Sequence, residues 1–180
     1  MRILSRRFLC LGLVLSLGVL ADTDKVFPTV IDYDVGLTKL IEGAVGSSNL
    51  RYVNSNISPV RFELREGVRA VNLELVPFLD GETSEQAAKR LTDAGYTLEG
   101  VGELAQFLAD NPTEVAKYAT VVALNKMSRW ERPSGGIFAL RNVFVPCVCV
   151  DGAYRGFQLS YFSNQTHGSN SRILVSRSWV

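Results

Sequence analysis

Side chains able to hold a polar ligand recur through the last third of the chain. Trp130 and Arg132, then Tyr154 and Arg155, then Tyr161, Asn164, His167, Asn170 and Arg172 form the candidate ligand-binding set. Arginine presents a planar fork that fits carboxylate, phosphate or sulfate, and Trp or Tyr rings stack on the faces of sugars and bases. Lys126, Arg129, Arg141 and Arg177 lie in the same stretch. The competing reading is an ordinary solvated surface with Trp130 tucked into the core.

Other chemistries have thinner support. His167 is the only histidine, so a multi-histidine metal site is excluded. Zinc would need Cys147, Cys149, His167 and an acidic ligand to meet, yet the cysteines fall mid-strand and His167 falls in a Gly/Asn/Ser loop, as a solvated side chain. No metal or cofactor is expected. Cys147-Val148-Cys149 sits in an apolar run, where two thiols act as small hydrophobes, with a strained redox-active bridge as the alternative. Asp32 and Asp34 could pair for acid–base work, but both flank a helix start, where carboxylates cap. Ser134-Gly135-Gly136 and Gly100-Val101-Gly102 lack phosphate-loop spacing.

The elements that must position these residues follow from periodicity. Residues 22–30 read as extended, and Leu37, Leu40, Ile41 and Ala44 recur at helical steps until Gly46-Ser47-Ser48-Asn49. Val60, Phe62 and Leu64, a Glu66-Gly67 turn, then Val71, Leu73 and Leu75 predict an antiparallel hairpin. Thr83 and Gln86 form a capping box for a helix carrying Ala87, Ala88, Leu91 and Ala94, stopped by Gly95. A second helix places Val101, Leu104, Ala105 and Leu108 inward, and Asn111-Pro112 ends it and begins a helical turn.

From Ala119 the period becomes two. Strands are predicted at 120–124, 137–140, 143–150, 157–162 and 173–179, with Pro146 implying a bulge or a sheet edge. The expected fold class is α+β in two layers: an N-terminal helix and β-hairpin, two central helices and C-terminal antiparallel strands.

The chain opens with Arg2, Arg6 and Arg7 before an apolar run from Phe8 to Ala21 that includes Cys10. About fourteen residues is short of the roughly twenty that span a bilayer, so residues 1–21 read as a cleavable signal peptide with no permanent membrane span. The protein is expected to be secreted or periplasmic. Residues 22–80 then hold the first helix and hairpin, and residues 81–180 the remaining α+β module. Charge is uneven: residues 22–118 carry a net −7 and residues 119–180 a net +5. Nucleic acid fits that sign, but a modest excess on strands and loops of an exported chain argues against it.

The run from Tyr33 to Leu75, with Glu85–Leu91, Gly95-Tyr96, Glu103-Leu104, Pro112 and Val121-Val122-Ala123-Leu124, resembles an uncharacterised family of small bacterial proteins. Its ending is matched by Val145-Pro146, Gly152, Arg155, Leu159 and Arg172 to Arg177. That ending also resembles C-type-lectin-like modules of the formylglycine-generating-enzyme type, which implies a twisted set of strands built for ligand binding. Glu99 stands where those modules carry proline, and their calcium-binding triplets and disulfides are missing here.

The function expected on these grounds is a secreted, non-catalytic ligand- or protein-binding module. Its basic C-terminal surface would meet a polar or anionic partner: a glycan, an envelope polymer or a protein. A thiol-dependent enzyme using Cys147 and Cys149, or a structural envelope component, is the alternative. If the basic half is the recognition surface, replacing Arg155 and Arg172 weakens binding more than replacing Arg61 and Arg65.

Overall fold

The computed structural model describes residues 25–132, 142–152, 154–163 and 165–177, with the backbone alone described at Tyr154. The leader, the strand expected at 137–140, the Ser134-Gly135-Gly136 turn, Arg141 and Asn164 lie outside the described residues.

Strand β1 (Val26–Asp32) buries Phe27, Thr29 and Ile31 on one side, the alternation of a half-buried strand. Asp32 then accepts a hydrogen bond from the Asp34 amide and caps a short 3-10 turn, as expected, whereas the Asp34 side chain accepts from the Gly67 amide at 2.9 Å and ties the turn to the chain ahead of Val68 instead of capping. Helix α1 (Gly36–Ser48) follows, burying Leu37, Leu40 and Ala44 and ending on Asn49 in the left-handed conformation. After β2 (Tyr52–Val53) and a long loop come β3 (Val68–Pro77), α2 (Ser84–Asp93) and β4 (Thr97–Leu98). The capping box of Thr83 and Gln86 opens α2 with both of its hydrogen bonds made. Helices α3 (Val101–Asp110) and α4 (Pro112–Val115) precede β5 (Thr120–Ala123), β6 (Trp130–Arg132), β7 (Asn142–Asp151), β8 (Tyr154–Tyr161) and β9 (Ser171–Ser176).

One sheet takes in all of these strands, in the order β1-β3-β9-β5-β7-β8-β2, with β4 added to β9 and β6 to β7. Strands from 22–80 and from 81–180 therefore share it. Leu73, Val121, Ala123, Val148, Phe157 and Leu174 face a core closed by α1 and α3. Val76, Val122, Val145, Cys147, Ile173 and Val175 face a second core closed by α2. Helices thus cover both faces, and the expected two layers become three.

The hairpin expected between 60 and 75 does not form. β3 pairs with β1 over seven residues, from Val26↔Glu74 to Asp32↔Val68, and with β9 on its other edge. A long alternating partner outcompetes the 60–64 segment, where Pro59 precedes a turn in which the Arg61 and Phe62 amides donate to the Ser58 carbonyl. Val60 is left 94% exposed while Phe62 plugs the core.

The C-terminal strands are antiparallel in β5–β7, β6–β7 and β7–β8, but β5 and β9 run parallel because β6 to β8 intervene between them. Pro146 causes no bulge in the β7–β8 register. Pairing of β5 with β7 stops at Val122↔Cys147, one step before the proline, and β6 takes over that edge from Phe144. The missing N–H falls where one neighbour leaves and the next begins. No described helix is long and apolar enough to cross a membrane.

Candidate functional site

Three of the sequence-predicted residues, Trp130, Arg132 and Tyr161, line one groove, with Trp130 half-buried against the core that α1 and α3 close. On the α1/α3 face, Trp130 of β6 lies directly across from Phe144 of β7, which lies across from Tyr161 of β8. Directly opposed side chains share a face, so the register itself builds a row of three aromatic rings. Ring centroids are 5.5 Å apart for Trp130–Phe144 and 4.7 Å for Phe144–Tyr161, with planes tilted by 30° and 38°. Leu159 lies beside them, and Arg132, Asn54, Asn56 and Arg61 complete a groove of about 470 Å³. Tyr161 is exposed.

The loop after β2 supplies the opposite wall. The Asn54 amide donates to the Phe157 carbonyl at 2.8 Å and pins the loop to β8. The Asn54 side-chain oxygen accepts from both the amide and the side chain of Asn56, at 2.9 and 3.0 Å, which turns the chain. Ile57 and Phe62 anchor the loop in the core, and the turn between them brings Arg61 over Trp130, its guanidinium carbon 4.5 Å from the ring centroid. Arg61 and the two asparagines were not among the expected site residues. The only sequence signal was the Asn54-Ser55-Asn56 stretch ahead of Pro59.

The other expected residues that the structure describes sit elsewhere. Arg155, on β8, donates to the Ser48 carbonyl at 3.0 Å and so helps close the C-terminus of α1. Arg172 donates to the Ser169 and Ser171 carbonyls and covers the Tyr118 ring at 4.4 Å. Asn170 is exposed, with its carbonyl held by the Ala119 amide. The Tyr154 side chain and Asn164 lie outside the described residues. His167 is not the solvated loop histidine expected. It is buried, stacked on Phe78 at 4.1 Å, and its Nε2 hydrogen-bonds the Ser84 hydroxyl at 2.9 Å. An apolar wall and a helix N-terminus drew the imidazole inward, and burial lowers its pKa below the ordinary histidine value. No described group of three or more His, Cys, Asp or Glu is placed to hold a metal.

A second polar constellation escaped the sequence reading altogether. Glu99 is fully buried, and Glu103, four residues on, nearly so. The backbone puts Glu99 there: its amide donates to the Leu174 carbonyl, and its carbonyl accepts from the Asn125 amide. Arg69 of β3 grips Glu99 with two bonds of 2.8 and 3.0 Å, and the Ser176 hydroxyl donates to the same carboxylate. Glu103 accepts from Tyr33 at 2.5 Å, from Arg65 Nε at 3.0 Å and from the Gly100 amide at 3.0 Å. Burial pushes the Glu103 carboxyl upward, but Tyr33, backbone amides and Arg65 together hold it below the usual range. Burial and then Glu103 raise the Tyr33 hydroxyl well above its ordinary value. Each carboxylate is satisfied by several donors, so the cluster fastens β3, β9 and α3 together. Its signal in the sequence was two acidic residues at helical spacing within an apolar run, Leu98 to Leu108.

No protein-family model, curated protein or solved structure matches this chain.

Proposed function

We propose that this protein is an exported binding module of the C-type-lectin-like kind that takes an anionic glycan, without catalysis, in the groove of Trp130, Phe144 and Tyr161. The cross-strand row of rings carries this reading. Sugar rings present C–H faces that stack on aromatics, and the guanidiniums of Arg61 and Arg132 stand at the rim where carboxylate or sulfate substituents would lie. Asparagines on the other wall supply the hydrogen bonds that fix orientation. Among the described residues the groove holds no nucleophile with a base beside it, and its polarity suits recognition. The Arg-rich start and short apolar run of residues 1–21 support export, and the resemblance of the chain's ending to lectin-like modules supports the class.

Calorimetric titration with neutral and uronate-bearing oligosaccharides tests the groove. The acidic sugars bind more tightly, the advantage shrinks as salt rises, and Trp130→Ala weakens binding at least about tenfold, near 1.4 kcal/mol. Equal affinity for both sugar classes, or none for either, overturns the reading. Export is tested separately by N-terminal sequencing of the extracytoplasmic protein, which should begin at Asp22.

A further inference from the structure

The face of the sheet opposite the groove holds a pair of thiols that recognition does not use. Cys147 and Cys149 stand two apart on extended β7, so both side chains point to the α2 face. Their sulfurs lie 3.6 Å apart and unbonded. The two differ in surroundings. Cys147 is buried in the apolar core beneath α2, opposite Val122 and Gln158. Cys149 is only partly buried, and its cross-strand neighbours are Thr120 and Gly156, the second of which brings no side chain over the sulfur. The Thr120 hydroxyl lies 4.0 Å from Cys149 Sγ.

The shared hydrogen bond separates their acidities. With the Cys147 thiol as donor, negative charge on Cys149 is stabilised, and the Cys149 thiol falls to about 7 despite partial burial. The Cys147 thiol rises, through that same bond and through burial. The less buried thiol is therefore the one that ionises first, and its partner lies 3.6 Å away on the same face.

We propose that Cys147 and Cys149 form a thiol–disulfide exchange site acting on small or exposed disulfides, with Cys149 as the entry sulfur and Cys147 as the resolving one. This inference goes beyond the groove and does not depend on it, since the two sites lie on opposite faces of the sheet. In the first step the Cys149 thiolate attacks one sulfur of RS–SR. A mixed disulfide forms and RS⁻ leaves. Cys147 then gives its proton to solvent or to the departing thiolate and attacks Cys149 Sγ, expelling the second RS⁻. The protein ends with a Cys147–Cys149 bond, two electrons poorer, and the substrate ends as two thiols.

Within a strand, Cα atoms two residues apart sit near the outer limit for a disulfide, so this bridge strains β7. A following thiol reopens it by the reverse steps, and the site passes a disulfide from one molecule to another instead of storing it.

The test treats the folded, reduced protein with oxidised glutathione and follows it by intact mass and by peptide mapping without reduction. The wild type should lose two hydrogens, gain the Cys147–Cys149 bridge and release two glutathione thiols per chain. Cys147→Ala should stop at glutathione bound to Cys149, and Cys149→Ala should react at least about tenfold more slowly. Should Cys147→Ala fail to fold by circular dichroism, Cys147→Val, which fills the apolar site, replaces it. Persistent mixed disulfide in the wild type, or unchanged reaction of Cys149→Ala, overturns the proposal.

Discussion

Arg61 and Arg65 lie four residues apart in one loop and end in opposite circumstances. Arg61 rides over the Trp130 ring at the rim of an open groove, whereas Arg65 reaches inward to Glu103 at 3.0 Å. The regions around them repeat the contrast. Each sets two arginines beside aromatic chemistry, the outer with a row of three rings and the inner with Tyr33, and the inner one buries two carboxylates, Glu99 and Glu103, both withdrawn from water. A buried carboxylate turns arginine into a fastening, and without one the same guanidinium stays at the surface. Charge counted along the sequence cannot see this, because it is the burial of the partner that decides.

The largest effect is expected at the inner region. Arg69→Met removes the two-bond partner of Glu99 and leaves a fully buried carboxylate short of its main counter-charge, at a cost of about 3–5 kcal/mol. The urea unfolding midpoint measures it. Arg69→Met with Glu99→Leu should recover most of the loss, because no charge then remains buried without its partner. A single-variant loss under about 1 kcal/mol would mean that water reaches Glu99, and the contrast between the regions would collapse.

The outer region is sharpened by binding instead of stability. Arg61→Ala and Arg132→Ala together should weaken binding of an acidic oligosaccharide about tenfold and flatten its salt dependence. Arg155→Ala and Arg172→Ala should change it less than about threefold, since those side chains are engaged with the Ser48, Ser169 and Ser171 carbonyls. Charge asymmetry between the halves suggested instead that Arg155 and Arg172 would outweigh Arg61 and Arg65. Titration calorimetry of the two double variants decides between them, and an equal loss from both would return the weight to net charge.

What the sequence made legible was local. The capping box at Thr83, the stop at Asn111-Pro112 and the strands expected at 120–124, 143–150 and 157–162 depend on neighbours a few residues away, and they stand within a few residues of where expected, whereas the short β6 at 130–132 was not foreseen. Partner choice is not local. Val71, Leu73 and Leu75 marked a strand correctly, but its partner was β1, some forty residues upstream, and not the adjacent 60–64 segment. The groove was half legible for the same reason. Trp130, Arg132 and Tyr161 were visible by type, whereas Phe144 read as ordinary strand filling until the register set it between two other rings. Arg61 belongs to the site only because Ile57 and Phe62 anchor its loop. The Glu99–Glu103 cluster left the weakest trace, since nothing near two glutamates at the start of an apolar helix names Arg65 and Arg69, thirty or more residues upstream, as their partners.

The smallest expected effect separates a third kind of polar site from both regions, one whose partners are neutral. Burial holds the His167 pKa below its ordinary value, while in the unfolded chain it sits near about 6.5. Between those two values the unfolded state binds more protons than the folded one, so stability rises with pH there. His167 thus favours the fold fully above about pH 6.5, and the contribution is lost as pH falls through the folded value. Cys149, whose thiol titrates at about 7, is mostly protonated in both states across the lower part of that window. Glu82, whose backbone carbonyl accepts the His167 amide, is held below the usual range mainly by Arg90 against its own burial, so it stays ionised there. The urea midpoint of the wild type should therefore drop between about pH 6.5 and pH 5 by less than Arg69→Met causes. His167→Gln, able to keep a hydrogen bond to Ser84, should remove most of that slope. A slope unchanged in the variant would place the titrating group elsewhere and leave the imidazole, stacked on Phe78, a neutral spacer in both states.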